Sequence, residues 1–203
     1  MYKYLFLLQA LLSLSVVSLG YAGFREGTLA YERGDYAAAF KEFKALAEEG
    51  IAEAQFNLGL MYYKGQGVSQ DDGEAIKWFR KAAEQEYAKA QYNMGAMYSM
   101  GQGVPKDNGE AVKWFLKAAD QELAEAQYDL GVMYSIGQGV PKDYVQAYMW
   151  FDLAGEQGYL EAQNYRDELA KMMNPAQVAE AKRLAKEWKP KGIGYISPKP
   201  FSR

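Results

Sequence analysis

Apolar and polar positions follow a helical step through the middle of this chain. Ala54, Leu58, Met61 and Tyr62 recur at spacings of three and four, so they share one face and predict a helix over about 52–64. The stripe then returns every 36 residues. Ala54-Gln55, Ala90-Gln91 and Ala126-Gln127 open three copies, which continue with Gly59, Gly95 and Gly131, then Tyr62, Tyr98 and Tyr134. Gly-Gln-Gly-Val follows at 65–68, 101–104 and 137–140, and Trp78-Phe79, Trp114-Phe115 and Trp150-Phe151 close the pattern. A second helix in each copy is predicted to start at Asp71, Asp107 or Asp143 and run to about 86, 122 and 157. Glu74, Glu110 and Gln146 stand three residues after those Asp residues, the spacing of a capping box. The tryptophans are its inward anchors. A two-helix unit this small cannot bury its own apolar face, so successive units must stack.

The glycines carry further information. One in the middle of a helix costs ~1 kcal/mol against Ala. Three copies of that cost predict a neighbour too close for a Cβ at Gly59, Gly95 and Gly131. Gly65, Gly101 and Gly137 fit the left-handed residue that ends a helix. After the second helix, Gly50 and Gly158 occupy a position that Glu86 and Glu122 hold in the middle copies, which predicts strained turns there.

The whole series resembles the Sel1-like repeat, a relative of the tetratricopeptide repeat. It reads Ala-Gln-x-x-Leu-Gly-x-x-Tyr-x-x-Gly-x-Gly-Val-x-x-Asp-x-x-x-Ala-x-x-Trp-x-x-x-Ala-Ala, with Met94 in place of Leu in the second copy. The copies lie at about 51–86, 87–122 and 123–158. Residues 23–50 resemble a shorter tetratricopeptide-like helix pair that keeps Gly27, Ala39 and Phe43 but lacks the Gly-x-Gly loop. Residues 159–189 read as C-terminal capping helices: Ala162-Gln163 opens one, Asn174-Pro175 with Gln177 starts the next, and Val178, Ala181, Leu184, Ala185 and Trp188 form its apolar stripe. The fold class expected is all-α, a superhelical solenoid of antiparallel helix pairs in one elongated domain.

The ends of the chain are different. Lys3, an apolar run from Leu5 to Leu19 and the small residues of Gly20-Tyr21-Ala22 read as a signal peptide over 1–22, cut after Ala22. The run is short for a membrane anchor, which needs ~20 apolar residues. The expectation is an exported protein, periplasmic or secreted, with no membrane span after cleavage. It has no Cys, hence neither disulfides nor an acylated cysteine. Residues 190–203 hold Pro, Gly and basic residues without an acid, and read as a disordered basic tail. The formal net charge of −3 gives no support to nucleic-acid binding.

Chemistry is scarce. Without His or Cys, the commonest general base and zinc ligand, thiol catalysis and thiolate metal sites are all missing. No serine lies in Ser-x-x-Lys or Gly-x-Ser-x-Gly. Asp71-Asp72-Gly73-Glu74 does not have calcium-loop spacing, and capping explains it better. The Gly-Gln-Gly loops follow no strand, so a helix end fits better than a phosphate cradle. No catalytic residue, metal or cofactor is expected.

What remains is a surface. In solenoids that this chain resembles, the first helix of each pair lines the concave face. There the candidates for a partner groove are Phe56, Asn57 and Tyr63, then Tyr92, Asn93 and Met100, then Tyr128, Asp129 and Ile136. Aromatic area with few charges suits recognition of a peptide or protein. The alternative for Phe56, Tyr92 and Tyr128 is packing between helices. The resemblance implies a non-catalytic protein–protein interaction adaptor or regulator of the bacterial envelope. A glycan- or peptidoglycan-binding protein using the Tyr, Asn and Asp side chains is the alternative, and a carboxylate-dependent hydrolase is a more remote one.

Overall fold

The computed structural model describes residues 22–190; the predicted signal peptide, except Ala22, and the tail beyond Pro190 lie outside them. Every element among the described residues is helical. α1 covers 22–32, followed by α2 (Tyr36–Glu48), α3 (Ala52–Lys64), α4 (Asp72–Glu84), α5 (Ala88–Met100) and α6 (Asn108–Ala119). Then come α7 (Ala124–Ile136), α8 (Tyr144–Glu156), α9 (Leu160–Ala170) and α10 (Pro175–Glu187). Consecutive helices pair as in an α-solenoid; α3, α5, α7 and α9 are its A helices, and α4, α6 and α8 its B helices. The chain divides into two compact units, Met1–Trp78 and Phe79–Arg203, rather than the single elongated domain the sequence predicts. In a solenoid each pair is built to pack on its neighbours in the chain.

In the first unit Phe24, Phe40, Phe43, Leu46, Leu58, Met61 and Trp78 supply the core. In the second unit α10 packs on α8, and Trp188 meets Trp150 edge-on at 6.0 Å between ring centroids. Ala181 and Ala185 are buried beneath it, so the apolar stripe predicted for the last helix does cover the final pair.

The mid-helix glycines are keyholes for phenylalanine. A Cβ on Gly95 would stand 2.6 Å from the ring of Phe115, and one on Gly131 would stand 2.6 Å from that of Phe151. Gly27 meets Phe43 in the same way at 2.9 Å. The first pair therefore uses the same lock as the later ones, with a shorter loop between key and keyhole.

The loops hold register between pairs. Gly137 ends α7 in the left-handed region at φ 73°. Two residues on, a Cβ at Gly139 would overlap the carbonyl oxygen of Asn108, the first residue of the preceding B helix. Gln138 donates from Nε2 to Asn108 Oδ1 at 3.0 Å across the same seam. In the first unit Gly67 abuts the Tyr36 carbonyl, and Tyr31 donates its hydroxyl to Gln66 at 2.7 Å. The Gly-Gln-Gly loop is thus spent on stacking. The repeated Ala-Gln has a similar use. Buried Gln55, Gln91 and Gln127 donate to the carbonyls of Ala47, Ala83 and Ala119 at the end of the preceding helix.

Capping follows the sequence in part. The Asp71 and Asp107 carboxylates accept from the N–H of Glu74 and Glu110 at 2.9 and 3.0 Å, and Asp143 accepts from Val145 and Gln146. Glu74 and Glu110 do not return to the cap; each carboxylate engages a Lys three residues on, Lys77 or Lys113. The reciprocal box closes at Asn174 and Gln177.

Glu86 and Glu122 sit at φ 62° and 60°, whereas Gly50 and Gly158 take φ 93° and 89° in the same turn. The B helices end one to three residues before the predicted limits because this turn tightens early: Tyr87 N–H reaches back to Ala82 and Leu123 N–H to Ala118. A left-handed non-glycine residue costs ~1–3 kcal/mol. Glycine recovers part of it against a more flexible unfolded chain. Glu122→Gly should therefore raise stability by about 0.5–1 kcal/mol, read as a higher urea midpoint at unchanged m. A lowered midpoint would mean that the Glu122 side chain holds a contact worth more than the strain.

Candidate functional site

The candidate residues fall in both units. Phe56, Asn57 and Tyr63 lie on α3 in the first, where all three are half-buried. The other six lie on α5 and α7 in the second unit.

Tyr92 and Tyr128 are not free anchors. The Tyr92 ring packs against Phe115 at 5.5 Å, and its hydroxyl feels the charge of Asp129 on the next A helix. Tyr128 packs against Phe151 at 5.8 Å and meets the ring of Tyr165 on α9, also at 5.8 Å. Each ring therefore lies over the phenylalanine that fills its own helix's glycine keyhole, and each side chain interacts with a residue of the next pair. This is the packing alternative, realised for both residues. The amide of Asn93 is likewise occupied, donating to the Lys89 carbonyl at 2.9 Å. The pairing of Tyr92 with Asp129 was not foreseen, although the sequence has Asn57 and Asn93 at the positions equivalent to Asp129.

Burial governs the electrostatics. Desolvation pushes the Tyr92 hydroxyl well above its ordinary range, and the Asp129 charge adds to it. Tyr128 is pushed up to about 12, first by burial and then by Tyr165. Asp129 is raised to about 6 by burial and by the charge of Glu125, against the hydrogen bond from Tyr92, which favours the ionised form.

The two aliphatic candidates behave differently. Met100 is 54% exposed and Ile136 59% exposed, each the last residue of its A helix. A second step of 36 residues lands on Met172, just beyond α9 and 63% exposed. Met172 escaped the sequence reading because the pattern diverges after Gln163; the bare period would have found it. Tyr165 and Leu160 on α9, 54% and 70% exposed, were missed for the same reason.

Among the described residues no group of three or more His, Cys, Asp or Glu side chains could hold a metal ion. No helix among them is long and apolar enough to cross a membrane.

Residues 52–87, 88–123 and 124–159 each match the family model for the Sel1 repeat. Among solved structures, the chain is similar to a Sel1 repeat protein from Oxalobacter formigenes, with 36% identity and a TM-score of 0.68 over 70% of this chain and 59% of that one. It is also similar to a protective antigen present in uropathogenic Escherichia coli strains that displays an SLR fold, with 30% identity and a TM-score of 0.58 over 83% of this chain and 45% of that one. The chain thus spans less than two thirds of the length of either. MamA, at 20% identity and a TM-score of 0.51 over 79% of this chain and 90% of that one, shares the fold. No curated protein matches the chain.

Proposed function

The chain belongs to the Sel1 repeat family, and we propose from that premise that it is a non-catalytic adaptor or regulator that binds a peptide or protein segment along its A helices. The observation that carries this reading is the row Met100, Ile136 and Met172. Single exposed apolar side chains are ordinary on a protein surface. Three at one position of successive pairs are not explained by chance exposure. Methionine also adapts its shape to varied apolar partners.

The same geometry weakens the rival readings. A saccharide site would draw on Tyr92, Asn93 and Asp129, yet the Tyr92 ring is packed on Phe115 and the Asn93 amide donates to the Lys89 carbonyl. A two-carboxylate hydrolase would need a facing pair of acids, and Asp129 faces a tyrosine. The setting belongs to the proposal as well. The apolar leader and its small-residue end support export to the bacterial envelope or beyond, where the mature chain should begin at Gly23 or within a residue or two of it. N-terminal sequencing of the exported protein that starts at Met1 would refute this.

The test of binding is the double substitution Met100→Glu with Ile136→Glu. Both side chains are exposed, so the thermal melt should stay within a few degrees of the parent's. Crosslinked capture of the partner from envelope fractions should fall at least tenfold, since buried charges at an apolar contact cost ~2 kcal/mol or more. Undiminished capture would move the binding surface elsewhere.

A further inference from the structure

We propose that the face of α7 and α9 carrying Tyr128, Tyr159 and Tyr165 binds a cationic segment of the partner, seating a Lys or Arg side chain against the tyrosine rings and among Glu125, Asp129 and Glu161. The inference rests on the groove reading and names the partner's chemistry at one place along it.

The rings form a continuous group. Tyr128 lies 5.0 Å from Tyr159 and 5.8 Å from Tyr165, and Tyr165 stacks on Phe151 at 5.6 Å. Tyr165 and its neighbour on the first turn of α9, Leu160, are more than half exposed. The charges of nearby carboxylates act on the same rings. Tyr159 feels the charges of Glu161, Asp129 and Glu125, and Tyr128 feels that of Glu161.

No cation answers them. Among the described residues, none of these three acids forms a salt bridge. The basic side chains of this unit that do pair engage other acids: Lys113 with Glu110, Arg166 with Asp152 and Asp167, Lys171 with Glu168, and Arg183 with Glu180 and Glu187. Elsewhere the chain covers aromatic faces with its own lysines, Lys117 over Trp114 at 4.2 Å and Lys142 over Tyr144 at 4.6 Å. Glu125 and Glu161 sit in first turns, where the helix dipole accounts for an acid. That argument does not reach Asp129, which lies beyond the first turn of α7 and replaces the Asn of the two earlier copies. An aromatic face bordered by unpaired carboxylates attracts an ammonium or guanidinium through both the ring quadrupole and the opposite charge. Desolvation of Asp129 adds to this, because a cation placed there relieves the cost of its buried charge.

The probe is tetralysine, compared with its ε-acetylated form, which keeps the length and loses the charge. Binding to the mature full-length chain is followed by amide chemical shifts. Tetralysine should shift the signals of Glu125, Asp129, Glu161 and Tyr165 and bind at least tenfold more tightly than the acetylated peptide. E125Q/E161Q should abolish that preference, whereas a control pair of exposed acids, E84Q/E86Q, should retain it. Equal affinity for both peptides, shifts centred elsewhere, or an E125Q/E161Q variant that behaves like the parent would each overturn the proposal. Tetralysine binding that appears only after residues 191–203 are deleted would assign the face to the chain's own basic segment and overturn a separate partner. Partner capture lost in M100E/I136E but unchanged in E125Q/E161Q would sink the cation proposal and leave the groove reading standing. Tetralysine shifts that persist while M100E/I136E captures its partner normally would do the reverse.

Discussion

Phe151→Ala should cost about 3–5 kcal/mol and loosen the last A helices of the second unit together. The ring is almost fully buried and meets three features at once: the Gly131 keyhole, the Tyr128 ring at 5.8 Å and the stacked Tyr165 ring at 5.6 Å. Removing it leaves a cavity where three helices meet, and large-to-small changes at such sites fall in that range. The converse change tests the same lock from the other side. Gly131→Ala gains ~1 kcal/mol of helix propensity. Against that, its Cβ would stand 2.6 Å from two ring carbons of Phe151. Overpacking costs ~1–3 kcal/mol and sometimes more, so the net should be a loss of about 1–2 kcal/mol. Combining Gly131→Ala with Phe151→Leu should then cost less than the sum of the two single changes, because the smaller side chain vacates the overlap. Strict additivity in urea melts would show that key and keyhole are independent.

That lock shows how the sequence carried the fold. Gly95 and Gly131 announced a close approach, because a repeated cost needs a repeated cause. The sequence could not say that the ring of Phe115 or Phe151 fills the space, since Trp114 and Trp150 beside them are the larger candidates. Helix positions were legible from the three-and-four spacing, and the left-handed glycines from their place after it. Glu86 and Glu122 were legible as strained by comparison with Gly50 and Gly158. The groove was less legible. Tyr92 and Met100 both lie on an exposed-looking stripe of α5, yet one is packed against Phe115 and the other is open to solvent. A helical wheel gives direction but not the distance to the neighbouring helix, and that distance decides between packing and binding. The cationic face depends on Tyr159 and Tyr165, which lie where the repeat degenerates and periodicity offers no guide.

Asp129 should make the protein less stable as the pH rises from about 4 to about 6. Its carboxyl is raised to about 6 in the fold, while an unfolded Asp titrates near 3.9. In that window the native state holds the proton more firmly than the unfolded chain does. The stability it contributes is therefore complete below the unfolded value and is lost as pH passes through the folded one. The full separation corresponds to ~3 kcal/mol, and solvent access to a partly exposed carboxylate reduces this to on the order of 1–2 kcal/mol. Asp129→Asn removes the proton equilibrium and keeps an amide oxygen to accept from the Tyr92 hydroxyl. It also restores the residue that the earlier copies carry as Asn57 and Asn93. The variant should match the parent near pH 4 and exceed it by on the order of 1 kcal/mol at pH 7. The difference between the two urea melts isolates this group, because Glu180, held down by its hydrogen bond to Arg183, works in the opposite sense and is common to both proteins. A difference that is constant across the range would mean that Asp129 titrates as an exposed carboxylate and that the tyrosine bond leaves it fully solvated.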